Sequence, residues 1–88
     1  MKNVQEVEPA SFAEAVEIFT AEFSRRYPAT KFLIEGEGFE DEDLDLNVYL
    51  DGDEVEAGIY SAEVSNLVQQ RTGHLILPFI LPSNRFPL

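Results

Sequence analysis

The sequence predicts an α+β fold: a small single domain of order α-β-β-β-α-β, with two helices on one face of a mostly antiparallel sheet. Three observations predict it. Phe12, Val16, Phe19 and Phe23 recur at helical spacing, Asp43 to Leu50 alternates between polar and apolar residues, and Leu75 to Leu81 is a nearly all-apolar run of strand length. Eighty-eight residues suffice for one core and are too few for two, so residues 1–88 are expected to form one domain, with about 1–8 and 83–88 as irregular tails.

The first helix is expected from about Pro9 to Arg26. Ser11 and Glu14 have the spacing of a capping box, in which hydroxyl and carboxylate reciprocally satisfy free backbone donors. The apolar positions share one face and leave Glu14, Glu17 and Glu22 elsewhere. Arg25 and Arg26 complement the helix dipole in the last turn, and Pro28 cannot continue the hydrogen-bond ladder. Lys31 to Glu37 then reads as a strand that begins apolar and turns acidic. The alternation from Asp43 to Leu50 predicts a half-buried strand with Leu44, Leu46, Val48 and Leu50 inward.

Asp51-Gly52 is a turn signal, and Val55, Ala57 and Ile59 alternate after it, which predicts a hairpin into a third strand. A helix starting at Glu54 is the competing reading, and Gly58 weighs against it. Ser61 is placed to cap a second helix through about Arg71, with Val64, Leu67, Val68 and Arg71 on one side and Gly73 at the C-terminal cap. His74 to Pro82 is a buried strand whose Pro78 and Pro82 limit its hydrogen bonding, which suits an edge or a bulge.

Composition narrows the function. Hydrophobic residues make up 44% and seven are Phe, the balance of a globular chain rather than a disordered acidic tail. Without cysteine, neither disulfides nor thiolate metal sites are available. No apolar run follows Lys2, and no stretch of about 18 apolar residues occurs, so a soluble, cytoplasmic protein is expected. A net charge of -11 argues against direct binding to nucleic acid or a membrane surface, because phosphate contact needs clustered basic groups and the six Lys and Arg are scattered.

Catalytic machinery is not apparent. His74 is the single histidine, the serines occupy cap or tail positions, and no Gly-x-Ser-x-Gly elbow exists. Gly36-Glu37-Gly38 is anionic and opens no helix, so it does not cradle phosphate. Counted from Asp43, the residues Asp45, Asn47, Asp51 and Glu54 fall on ligand positions of a calcium-binding EF-hand loop. Val48 stands where that loop turns on glycine, however, and the alternation demands an extended strand. Neither an enzyme nor a cofactor is expected.

The feature that does point to a function is a run of carboxylates. Glu35, Glu37, Glu40, Asp41, Glu42, Asp43, Asp45, Asp51, Asp53, Glu54 and Glu56 follow one another with no Lys, Arg or His among them. A hairpin turn at Gly38 to Glu42 sets Glu37 opposite Asp43 and Glu35 opposite Asp45, and opposed like charges destabilise a sheet unless water or a cationic partner faces them. The first ten of these residues are the candidate partner-binding set. Glu35, Glu37, Asp43 and Asp45 are also the carboxylates best placed for a hard cation such as Mg²⁺ or Ca²⁺, although a solvated or protein-docked face is the expected state.

The expected function is a non-enzymatic protein–protein interaction module whose rigid acidic face docks on a basic surface. A nucleic-acid-binding protein offers one, since its Lys and Arg normally neutralise phosphates and an array of carboxylates can take their place. Small nucleic-acid-mimicking inhibitors of the antirestriction and anti-CRISPR type share this size and charge. The alternative is a small structural subunit of a larger assembly, such as a virion or multi-protein complex. It would be joined through the apolar C-terminal strand and tail, with Phe79, Phe86 and Leu88 in contact; the same surface would serve a homo-oligomer. High-salt adaptation is a further reading, given that Lys is confined to Lys2 and Lys31.

Overall fold

The computed structural model describes residues 12–37 and 43–87, and for 35–37 and 43 it describes the backbone. The elements are α1 (Phe12–Arg26), β1 (Lys31–Glu37), β2 (Asp43–Leu50), α2 (Glu54–Thr72), β3 (Leu75–Pro82) and a single 3₁₀ turn at Ser83–Arg85. Two helices and a three-stranded sheet make the fold α+β. Residue Ser11 of the expected capping box lies outside the described residues.

Helix α1 buries Ala15, Phe19 and Phe23 and ends on the expected Arg25 and Arg26. The chain then reverses within four residues. The backbone N–H and hydroxyl of Thr30 both donate to the Tyr27 carbonyl, at 3.2 and 2.7 Å, and carry it into β1. Both following strands have the bounds the sequence predicts, and Leu44, Leu46, Val48 and Leu50 are all buried.

The expected third strand over Val55 to Ile59 does not form, because those residues are the first two turns of α2. Asp53 decides the matter. Its carboxylate accepts from the backbone N–H of Val55 at 2.9 Å and of Glu56 at 3.2 Å, which caps the helix there rather than at Ser61. Ser61 is instead buried in mid-helix, where its hydroxyl donates to the Gly58 carbonyl at 2.8 Å. In the helix Ala57 turns inward, whereas Val55 and Ile59 are 73% and 60% exposed. The buried stripe runs through Ala57, Ser61, Val64, Ser65, Val68 and Thr72. At the far end Gly73 adopts φ 79° and donates its N–H to the Gln69 carbonyl at 2.8 Å, the left-handed cap the sequence anticipates.

Losing that strand also changes the sheet, which is mixed rather than mostly antiparallel. The order is β1-β2-β3, with β1 antiparallel and β3 parallel to the central β2. A long helix between β2 and β3 returns the chain to the end at which β2 began, so β3 must enter parallel. β3 is an edge strand, as its prolines suggest. Pro78 and Pro82 have no N–H to give β2, so in a parallel ladder their nitrogens face the free edge.

The core lies between the helices and one face of the sheet. Phe19, Phe23, Leu46, Val48, Val68 and Ile76 are its largest fully buried side chains. Two hydroxyls tie the layers together. Tyr60 donates to the Glu22 carbonyl at 3.1 Å, joining α2 to α1, and Ser65 donates to the Ile76 carbonyl, joining α2 to β3.

Candidate protein interface

β2 carries the acidic segment but divides it. Glu35, Glu37, Asp43 and Asp45 lie where β1 ends and β2 begins, whereas Asp51, Asp53, Glu54 and Glu56 lie where β2 ends and α2 begins. Eight residues of strand separate Asp43 from Asp51, roughly 26 Å. Glu40, Asp41 and Glu42 fall outside the described residues. Carboxylates that adjoin in sequence therefore form two groups at opposite ends of the sheet.

The hairpin register accounts for how opposed charges are avoided. Lys31, Phe32, Leu33 and Ile34 pair with Tyr49, Val48, Asn47 and Leu46 in the register the sequence predicts. Beyond Ile34 the register shifts, so that Gly36 pairs with Asp45 and Glu37 with Leu44. The expected pairs Glu35–Asp45 and Glu37–Asp43 do not form. Glu35 is the extra residue of a β-bulge, which unpairs one residue and re-aims the strand beyond it. Gly36, the residue type that most easily admits a bulge, was the signal for this in the sequence.

The cations gather at one end. Arg25 and Arg26 finish α1, Lys31 starts β1, and Arg85 lies in the turn after β3, all at the end that also carries Asp51, Asp53 and Glu54. Asp53 is occupied as the α2 cap, and Asp51 accepts from the Ser83 hydroxyl. Arg26 lies over the Tyr60 ring at 5.0 Å. At the hairpin end the basic residue among those described is Arg71, in the last turn of α2. One end is thus charge-mixed and the other strongly anionic.

The helix-free face of the sheet is the second surface of interest. Because Leu44, Leu46, Val48 and Leu50 point to the core, the register puts Lys31, Leu33, Asp45, Asn47, Tyr49, Leu77, Phe79 and Leu81 on the opposite face. Tyr49 is nonetheless buried there. Phe86 packs edge-on against it at 5.1 Å, with the Lys31 ammonium 5.2 Å from the Phe86 ring. Phe86 therefore belongs to the molecule's own packing, Phe79 stands 48% exposed, and Leu88 lies outside the described residues. Leu33, 38% exposed on the same face, was missed in the sequence, although its alternation with half-buried Phe32 signals it.

Two hollows lie among the described residues. A groove of about 390 Å³ runs between α2 and the free edge of β3, walled by Gly58, Ala62, Ser65, Pro78 and Ile80. The other, about 230 Å³, is bounded by Arg26, Tyr27, Thr30, Asp51 and Ser83. In the second, the Ser83 hydroxyl donates to the Asp51 carboxylate. Among the described residues no group of three His, Asp or Glu is placed to hold a metal ion, and Asp43, Asp45 and Asn47, which fall on EF-hand ligand positions, lie on the extended strand that the alternation predicts. His74 packs its ring against Phe12 at 4.3 Å. No described helix is long and apolar enough to cross a membrane. Compared with known proteins, the chain matches no family model, no curated protein and no solved structure.

Proposed function

We propose that this protein is a non-enzymatic interaction module that presents its acidic hairpin end to a basic surface on another protein. A nucleic-acid-binding groove lined by Lys and Arg is the favoured target, and the module would block it as an inhibitor that mimics nucleic acid. The segregation of charge carries this reading. Glu35, Glu37, Asp43 and Asp45 lie at the end remote from Arg25, Arg26, Lys31 and Arg85, where Arg71 is the basic residue among those described, so the balance of charge there favours a cationic partner.

The test compares two neutralised proteins in affinity capture from the native host. Asp41, Asp43 and Asp45 changed together to Asn should abolish capture of the partner while leaving the melting temperature close to that of the unmodified chain. Glu54→Gln with Glu56→Gln, at the charge-mixed end, should leave capture intact. Capture by the unmodified chain should also weaken steeply with salt. Equal loss in both variants, or indifference to salt, would rule the reading out.

A second reading is favoured by Phe79 and Leu33, two large apolar side chains exposed on one sheet face. In it the chain is a small subunit of a larger assembly, held through β3, and the acidity serves solubility. Phe79 is a cleaner probe of this than Phe86, whose loss would uncover Tyr49.

A further inference from the structure

We propose that Ser83 to Pro87 form a strap that lifts from the sheet as a unit while the rest of the fold stays intact, uncovering Tyr49. The inference goes beyond both readings above and depends on neither.

The strap begins where backbone pairing ends. Pro82, the last residue of β3, lies beside Leu50 at the end of β2, and the 3₁₀ turn follows it directly. The turn is closed by its own backbone bond, from the Phe86 N–H to the Ser83 carbonyl at 3.1 Å. That bond ties the two ends of the turn together, so neither end can leave alone without breaking it. Among the described residues, the strap's directional contacts with the rest of the molecule are made by side chains. The Ser83 hydroxyl donates to the Asp51 carboxylate, the Phe86 ring meets Tyr49 edge-on at 5.1 Å, and the Lys31 ammonium lies 5.2 Å from the Phe86 ring. No residue of the turn is buried, and Asn84, Arg85 and Pro87 are exposed.

Each of these contacts is weak by itself. An exposed hydrogen bond and an exposed cation–π contact are among the smaller stabilising interactions in a protein, whereas holding the strap down costs conformational entropy at every one of its residues. Segments with few buried apolar contacts open locally, without global unfolding. The core does not depend on this one, because Phe19, Phe23, Leu46, Val48, Val68 and Ile76 are buried on the other face of the sheet, against the helices. Lifting the strap has two consequences at once. Tyr49, buried under Phe86, joins the exposed Leu33 and Phe79 on the helix-free face. Ser83 also leaves the wall of the hollow that it shares with Arg26, Thr30 and Asp51. The strap thereby couples the shape of that hollow to the amount of apolar surface that the sheet presents.

The test follows nitration of Tyr49 by tetranitromethane, located by peptide mass spectrometry, beside amide hydrogen exchange at Leu46 and Val48 in the middle of β2. Urea well below the unfolding midpoint separates local from global opening. Exchange at Leu46 and Val48 should accelerate steeply with urea, because global unfolding exposes much surface, while the Tyr49 rate should barely change. Without urea, Ser83→Ala and Lys31→Met should each raise the Tyr49 rate about two- to fivefold, and the double variant by the product of the two. Ser83→Ala is the decisive variant. Lys31 sits opposite Tyr49 in the hairpin and can alter its reactivity directly, whereas the Ser83 hydroxyl is bonded to Asp51 and reaches Tyr49 through the strap. A Tyr49 rate that climbs with urea in step with the β2 amides would overturn the inference, since the strap would then open only with the whole fold. So would a Tyr49 rate that Ser83→Ala leaves unchanged, whatever Lys31→Met does.

Discussion

Changing Asp53 to Ala isolates the interaction that turns residues 54–60 from strand into helix. Its carboxylate satisfies two of the four backbone donors that the first turn of α2 leaves without intrahelical partners, at 2.9 and 3.2 Å. Both bonds are exposed, so water replaces them in part when the carboxylate is removed. That puts the loss near the middle of the range for capping residues, about 1 kcal/mol. For a domain of this size such a loss lowers the melting temperature by roughly 4–8 °C. Asp53→Asn keeps the acceptor and discards the charge, so it should cost only about half as much or less. Thermal and urea unfolding followed by circular dichroism reads both. An Asp53→Ala protein as stable as the unmodified chain would mean that α2 does not begin at this cap. An Asp53→Asn protein as unstable as the alanine variant would mean that charge, not hydrogen bonding, holds the helix start.

Two glycines should respond in opposite directions to alanine. Gly58 lies within α2 with open space where a Cβ would stand, so Gly58→Ala should stabilise by about 0.5–1 kcal/mol. Gly73 holds φ 79°, so Gly73→Ala should destabilise by about 1–2 kcal/mol even though nothing would touch the new methyl. Urea titration of both variants checks the pair, and equal signs would contradict the assignment of the two ends of α2. Leu46→Ala, in the fully buried centre of β2, should cost about 2–5 kcal/mol in the same assay, a loss large enough to threaten the fold of a domain this small.

How far the sequence could be read depended on where the decisive interaction lay. β1 and β2 were legible because their alternation is local and uninterrupted, and α1 because its buried face carries large phenylalanines. α2 was misread at its start because its buried stripe is built of small and polar residues. Ala57, Ser61 and Ser65 carry little hydrophobic signal, so the local alternation of Val55, Ala57 and Ile59 stood out instead. A correcting signal was nonetheless present. Asp53 followed three residues later by Glu56 is the pattern of a helix start. The parallel entry of β3 follows from that one misassignment, since a chain with four strands would alternate direction where this one does not. The bulge at Glu35 was less legible, because like-charge avoidance across a hairpin depends on register, which a single strand does not contain.

The acidic residues that the sequence offers as one candidate interface fall, where described, into two groups. Residues next to each other in sequence are near in space only within one element or turn, and an eight-residue strand is long enough to carry Asp51 out of range of Asp45. At physiological ionic strength charges are screened over about 8 Å, whereas the two acidic groups lie roughly three times that far apart. Each end therefore acts on an approaching partner as a separate object. The end with Asp51 and Glu54 presents these beside Arg25, Arg26, Lys31 and Arg85, and the opposing signs cancel at short range. At the hairpin end the basic residue among those described is Arg71, and the proposed function takes that end as the one that faces a partner. On the proposed reading, a partner with one basic patch engages that end. This is why the contribution of each carboxylate depends on which end of β2 it occupies rather than on how many charges the chain carries.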